Sequence, residues 1–246
     1  MSSQVGSGSP PGCATHCGLC QRGVVLVIVG IETSTRICAV ALTRAQQLVA
    51  EYRLNRANAH ATALVDLLST MLKQVSVALT ELDAIAVSIG PGSFTGLRIG
   101  LSTAKGIALG CARPLVTVPT MDALASQAPI RDGIICPLLK ARANEYYFAV
   151  YHRDNFVDSL VQEIQLVRKE MIASTLPAGA MLISPEDIGC DSGIATTFVC
   201  APESFSMPTA FSIARLGQQK LMVGDIASLE TVEPLYFQEF IAGAHG

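Results

Sequence analysis

Glu32-Thr33-Ser34-Thr35 puts a carboxylate and three hydroxyls into four consecutive residues, the groups wanted beside a phosphate and its Mg²⁺. The same residue types are ordinary choices for a hairpin turn, so the stretch reads equally as connection or as site. A phosphotransferase built from two facing lobes needs a second acid at the matching turn of the second lobe. Lys140 stands there, and a charged lysine does not ligate a metal. Gly90-Pro91-Gly92-Ser93 meets the start of a helix and could cradle an anion on free backbone N–H groups. It lacks the Gly-Lys-Ser/Thr ending of a P-loop and the spacing of a dinucleotide fingerprint, so a tight strand-to-helix connection is the favoured reading. Glu32, Thr33, Gly92 and Ser93 are retained as candidate nucleotide or phosphate contacts. The histidines are His16, His60, His152 and His245, with no pair at i, i+4, which removes a zincin-type helix site. His60 reads as a solvated first-turn residue. No Gly-x-Ser-x-Gly elbow accompanies the available Ser, Cys and His. No catalytic residue is assigned.

The elements that position these residues follow from periodicity. Val24–Ile31, Ile37–Thr43 and Gln46–Leu54 read as a three-strand meander. Leu64, Leu67, Leu68, Met71, Leu72 and Val75 recur at helical spacing. An apolar run from Ala84 then meets the Gly-Pro-Gly turn, and Ser93 caps the helix that follows. That helix carries Gly96, Gly100, Ala104 and Ala108 at successive i+4 positions, so one ridge is nearly bare and admits another backbone. Gly96, Leu97, Gly100, Leu101, Ala104 and Ala108, with Leu64 and Leu68 of the preceding helix, are the expected partner interface. Packing of the ridge inside the chain is the competing reading. Leu115–Val118 and a helix from Thr120 through Gln127 complete the first half. From Gly133 the pattern restarts with strands at Ile134–Leu139, Glu145–Tyr151 and Val157–Val167, a helix at Lys169–Leu176, short strands at Ala180–Ser184 and Thr197–Cys200, and a helix at Pro208–Val223. A βββαβα unit occurring twice predicts an α/β protein of two lobes facing across a cleft.

With 246 residues, half of them hydrophobic, the chain can bury a substantial core. Its 17 basic and 20 acidic side chains give a net charge of −3, which excludes holding nucleic acid unaided by phosphate neutralisation. Eight scattered cysteines read as reduced thiols rather than a disulfide framework. The longest aliphatic run, Val24 to Val29, falls far short of the ~20 residues that span a bilayer, and a cytoplasmic location is expected. Residues 1–23 are rich in Gly, Ser and Pro and predict a disordered or non-native tail. Cys13, His16, Cys17 and Cys20 crowd into that tail, but structural zinc sites usually pair two separated ligand clusters, so no metal is assigned. The expected division is tail 1–23, first lobe 24–130 and second lobe with its tail 131–246.

Ile31-Glu32-Thr33-Ser34-Thr35, Gly90-Pro91-Gly92-Ser93-Phe94-Thr95-Gly96-Leu97-Arg98-Ile99-Gly100, Ala141-Arg142, Glu145-Tyr146-Tyr147 and Glu233-Pro234-Leu235-Tyr236 together resemble the TsaB family. These are dimerisation subunits of the bacterial machinery that makes threonylcarbamoyladenosine beside the tRNA anticodon. The resemblance spans Val24 to Tyr236. It implies an actin/Hsp70/sugar-kinase-like (ASKHA) fold and a subunit that performs no chemistry and needs no cofactor. Such a subunit pairs through its first-lobe helices with a TsaD-like catalytic paralogue and with a TsaE-like ATPase. It meets tRNA only through that complex, and a homodimer stays open when the chain is alone. The paralogue carries two metal-binding histidines on its first long helix, where this chain has His60 alone. The family usually has Asp where Glu32 stands and often Asp where Lys140 stands. The competing reading is an ATP-dependent phosphotransferase of the same superfamily.

Overall fold

The computed structural model describes residues 25–56, 60–189 and 194–236. The tail with its Cys/His cluster lies outside them. Strands β1 (Val27–Glu32), β2 (Ile37–Arg44) and β3 (Gln47–Asn55) lead into α1 (His60–Gln74), β4 (Ala84–Ser88), α2 (Phe94–Cys111), β5 (Leu115–Val118) and α3 (Thr120–Ala125). The second half runs β6 (Gly133–Arg142), β7 (Glu145–Asp154), β8 (Val157–Arg168), α4 (Ile172–Thr175), β9 (Met181–Ile183), β10 (Val199–Cys200) and α5 (Ala210–Met222). The two sheets are ordered β3-β2-β1-β4-β5 and β8-β7-β6-β9-β10. In each, an antiparallel meander is extended by two parallel strands. The second copy differs where β9 leads to β10. A single 3₁₀ turn at Ile194–Thr196 is the helical element among the described residues where α2 stands in the first.

β1 and β4 are buried at every position, as strands covered on both faces must be. On one face, Leu64, Leu68, Met71 and Leu72 of α1 close over Val29, Ile31 and Val87. Each such side chain contributes roughly 1.5–3 kcal/mol of transfer free energy. On the other face, Ile213 and Ala214 of α5 meet Ile28, Ala86 and Val116. A Cβ on Gly30 would lie 2.1 Å from the Ala210 carbonyl, so α5 sits directly on the β1 backbone. The Glu51 carboxylate on β3 accepts the Ala210 N–H at 2.9 Å, and Thr209 caps the helix at Ser212 N–H, 3.0 Å. Together they satisfy the helix's first donors, Glu51 adding negative charge at the helix N-terminus.

The two lobes exchange their last helices. α3 sends Met121, Leu124 and Ala125 against Ile135, Tyr147 and Ala149 of the second sheet, while α5 covers the first. Chain order therefore does not set packing: α5, counted with the second lobe in the division at 130/131, belongs by contact to the first. The segment after it stays there too, with Ala227 N–H on Leu115 O and Leu235 N–H on Ile89 O, both 2.8 Å. Arg153, only 3% exposed, ties the α3 end to the second sheet. It donates to the carbonyls of Ala125 (2.7 Å) and Ala128 (2.6 Å) and pairs with Asp158 at 2.6 Å.

The cysteine reading needs one correction. Cys38, Cys111 and Cys136 are free, but Cys200 is disulfide-bonded. It sits on a two-residue strand at the sheet margin, where few backbone bonds hold the chain and a covalent tie restricts it. Burial pushes the Cys136 thiol up to about 12 and Cys38 to about 11, so neither is a ready nucleophile at neutral pH.

Candidate functional site

A cleft of about 650 Å³ opens between the lobes, lined by Ser34, Thr35 and Arg36 of the β1–β2 turn, by Gly92 to Gly96 at the start of α2, and by Lys140 and Glu186 of the second lobe. The turn and the helix start are locked together. Ser93 N–H donates to Ser34 O at 2.7 Å. A Cβ on Gly92 would approach that oxygen to 2.3 Å, so only glycine admits the contact. Ser93 then caps α2 through Gly96 N–H at 3.2 Å.

The four candidate contacts fall into two layers. Gly92 and Ser93 reach the cleft. Glu32 and Thr33 lie beneath it and are fully buried. One Glu32 carboxylate oxygen accepts from the Ser34 N–H (2.6 Å) and hydroxyl (2.5 Å), while Oε2 has no partner, and neither has Thr33 Oγ1. Burial raises the Glu32 carboxyl from its ordinary 4.5 to about 7, against the bonds from Ser34 and Ser88 and the charge of Arg53. A carboxyl so placed is half neutral at pH 7 and turned away from the cleft, poorly suited to hold a metal against phosphate. Lys140, expected at the matching second-lobe turn, is exposed but lies within β6 opposite Tyr146, the turn itself being Ala143-Asn144. The acid sequence reasoning missed is Glu186, whose Oε2 accepts the Lys140 N–H at 3.3 Å and whose carboxyl burial raises. Its signal was the Ser184-Pro185-Glu186-Asp187 turn at a strand end, masked by the brevity of β9. Among the described residues no three His, Cys, Asp or Glu side chains converge as metal ligands.

The small-residue ridge and its neighbours are corrected outright as surface. Gly96 and Gly100 receive the chain's own β1–β2 turn: added Cβ atoms would lie 2.1 Å from Thr33 O and 2.1 Å from Thr33 Oγ1. Leu97, Leu101, Ala104, Ala108, Leu64 and Leu68 are likewise buried in the folded chain, all but Leu97 in the core shared by α1, α2 and the first sheet. The bare stripe admits a backbone, and that backbone is internal. The exposed faces of the same helices carry Val65 and Leu109, 59% and 74% exposed. Between α1 and α2 lies an apolar groove of about 550 Å³ that includes Val65, Leu68, Leu72, Leu79 and Ile107. His60, expected in solvent, is buried, its Nε2 lying 3.0 Å from Thr35 O and 3.3 Å from Ile37 O. It pins α1 to the cleft turn.

The family model described as "TsaD: tRNA N6-adenosine threonylcarbamoyltransferase" matches residues 47–195. The tRNA threonylcarbamoyladenosine biosynthesis protein TsaB of Escherichia coli (strain K12) is 28% identical over 226 residues, covering 87% of this chain and 96% of that protein. Its namesake in Bacillus subtilis (strain 168) is 30% identical over 151 residues, 61% of this chain and 65% of that one. The solved structure of YeaZ from Pseudomonas aeruginosa superposes with a TM-score of 0.73 at 25% identity, covering 86% of this chain and 100% of that one. The chain belongs to the TsaB family. With its duplicated lobes it is an ASKHA-type fold, and its biology is tRNA threonylcarbamoyladenosine biosynthesis. No helix among the described residues is long and apolar enough to cross a membrane.

Proposed function

We propose that this chain is the non-catalytic, cytoplasmic partner subunit required for threonylcarbamoylation of the adenosine beside the tRNA anticodon. In this reading it docks on a TsaD-like catalytic paralogue through the exposed faces of α1 and α2, a TsaE-like ATPase joins the pair, and tRNA is held by the complex. The observation that carries the reading is the Glu32 carboxyl, buried under Ser34 rather than presented to the cleft. With Glu32 withdrawn, Glu186 of the second lobe is the one acid among the described residues that lines the cleft, and paired-acid chemistry lacks its first-lobe member. The α1–α2 groove adds support, because exposed apolar surface of this kind marks interaction sites.

The test is co-expression with the catalytic paralogue, comparing the parent chain with Val65→Glu. Val65 is mostly exposed, so the variant should keep the parent's melting temperature while co-purification falls at least about tenfold, the effect of burying an unpaired charge. Undiminished capture removes the docking face. ATP hydrolysis by the purified chain alone, abolished by Glu32→Gln, supports the phosphotransferase instead. The feature favouring that second reading is the cleft itself, where Arg36 and Lys140 stand near the start of α2.

A further inference from the structure

Beside the main cleft lies a smaller pocket of about 540 Å³, walled by Phe94, Leu97 and Arg98 of α2, by Leu235 and Tyr236 of the segment after α5, and by Lys140 of β6. The Leu235 N–H on Ile89 O, 2.8 Å, fixes that segment at the pocket's edge. Tyr236 then reaches α2. Its ring centroid lies 5.0 Å from that of Phe94, and its hydroxyl accepts the Arg98 Nε–H at 2.8 Å. The guanidinium itself lies 3.9 Å over the Phe94 ring. A long cationic side chain is thus held in one geometry against aromatic surface, by a hydrogen bond that uses one of its five N–H donors. Among the described residues neither Arg98 nor Lys140 forms an ion pair. Neighbouring cavities include acids, Glu186 on the main cleft and Glu81 on the α1–α2 groove. The charged side chains lining this one, Arg98 and Lys140, are both cations. On a chain of net charge −3, the pocket is a local reversal of sign.

We infer that this pocket binds a small aromatic carboxylate, its ring against Phe94, Leu97 and Tyr236 and its carboxylate between Arg98 and Lys140. Aromatic side chains take a planar ring edge-on or offset-stacked. The guanidinium fork matches the two oxygens of a carboxylate, and the lysine adds a point charge. The volume falls within the range of small-molecule pockets, about 300–1,000 Å³. A phosphate suits the place less well, because the backbone N–H groups that cradle phosphate belong to helix starts. Ser93, Thr95 and Gly96 at the start of α2 line the main cleft and not this pocket. Its charge comes from side chains. With Arg98 on the first lobe and Lys140 on the second, the ligand touches both lobes at once. The site shares no residue with the α1–α2 groove and does not depend on the partner-subunit reading.

Equilibrium dialysis of the full chain against 2-naphthoate tests the proposal, with an expected Kd below about 1 mM. Naphthalene-2-carboxamide, the same ring without the charge, and acetate, the charge without the ring, should each bind at least about tenfold more weakly. Lys140→Glu, at an exposed position, should weaken 2-naphthoate at least about tenfold by setting a like charge beside the carboxylate. Tyr236→Ala should also weaken it, while Tyr236→Phe, which keeps the ring and gives up the Arg98 bond, should stay within about threefold of the parent. Melting temperatures of the free variants within a degree or two of the parent separate lost contact from lost folding. Saturating 2-naphthoate should raise the melting temperature of the parent. No bound 2-naphthoate at ~5 mM overturns the proposal. Equal affinity for the carboxamide overturns it too, leaving an apolar surface without an anion site. Arg36 lines the main cleft and not this pocket. Binding abolished by Arg36→Ala but untouched by Tyr236→Ala therefore places the ligand in the cleft and overturns the assignment. Adenosine monophosphate binding at least about tenfold tighter than 2-naphthoate makes the site one for phosphate and refutes the carboxylate.

Discussion

Replacing Glu32 by Gln turns the buried carboxyl into a measurable quantity. Its value in the folded chain, about 7, lies above its ordinary 4.5, so the folded state binds the proton more tightly than the unfolded chain does. Between those two values the unfolded state carries fewer protons, and stability must fall as pH rises. At 1.36 kcal/mol per unit, the shift of about 2.5 units amounts to about 3 kcal/mol, lost between roughly pH 4.5 and 7 and absent from the fold above it. Gln is nearly isosteric and neutral throughout. Its carbonyl can keep the two Ser34 donors, and its NH₂ replaces the unpartnered Oε2. Glu32→Gln should therefore match the parent near pH 5 and exceed it by up to about 3 kcal/mol at pH 8, about 6–12 °C in melting temperature for a chain of this size. Asp122 and Glu186, also raised by burial, titrate in both proteins and cancel in the difference. Urea titrations at pH 5, 6.5 and 8 provide the measurement. A variant less stable than the parent at pH 8, or a difference that does not change with pH, would refute the reasoning and show Glu32 held as an anion by a cation.

Gly100→Leu should cost at least about 1–3 kcal/mol and lower expression, because its Cβ alone would come within 2.1 Å of Thr33 Oγ1. Normal melting of that variant would return the ridge to the surface. Gly106→Ala, on the same helix with nothing within 4 Å of its added Cβ, should instead stabilise by up to about 1 kcal/mol by removing a flexible residue from a helix interior. Arg153→Ala strands Asp158 and three carbonyls that the guanidinium now satisfies, those of Ala125, Ala128 and Ile130, and should cost about 3–5 kcal/mol in denaturant titrations. A loss below about 1 kcal/mol would show that water replaces it.

These variants separate what the sequence carried locally from what it could not. The β1–β3 meander and the α1 face were legible because alternation and helical spacing are properties of neighbouring residues, and the duplicated order emerged from them. The destination of each helix was not. Gly96 and Gly100 announce that a backbone comes close, but Thr33 is about sixty positions away and nothing in the spacing of the stripe names it. α5 illustrates the same limit. Its N-terminus on β1 is capped by Glu51 from β3, a contact across 159 residues that no local window contains. The candidate site divides along this line. Gly92 and Ser93 were placed at a helix start by short-range signals and reach the cleft. Glu32, chosen for its chemistry, depended on depth, which residue type does not report: the ridge of α2 admits the turn so closely that the carboxyl at its base is sealed beneath Ser34. The small residues expected to face a partner instead receive Thr33, the neighbour of Glu32, so the same β1–β2 turn takes the interface off the ridge and holds the acid beneath the cleft.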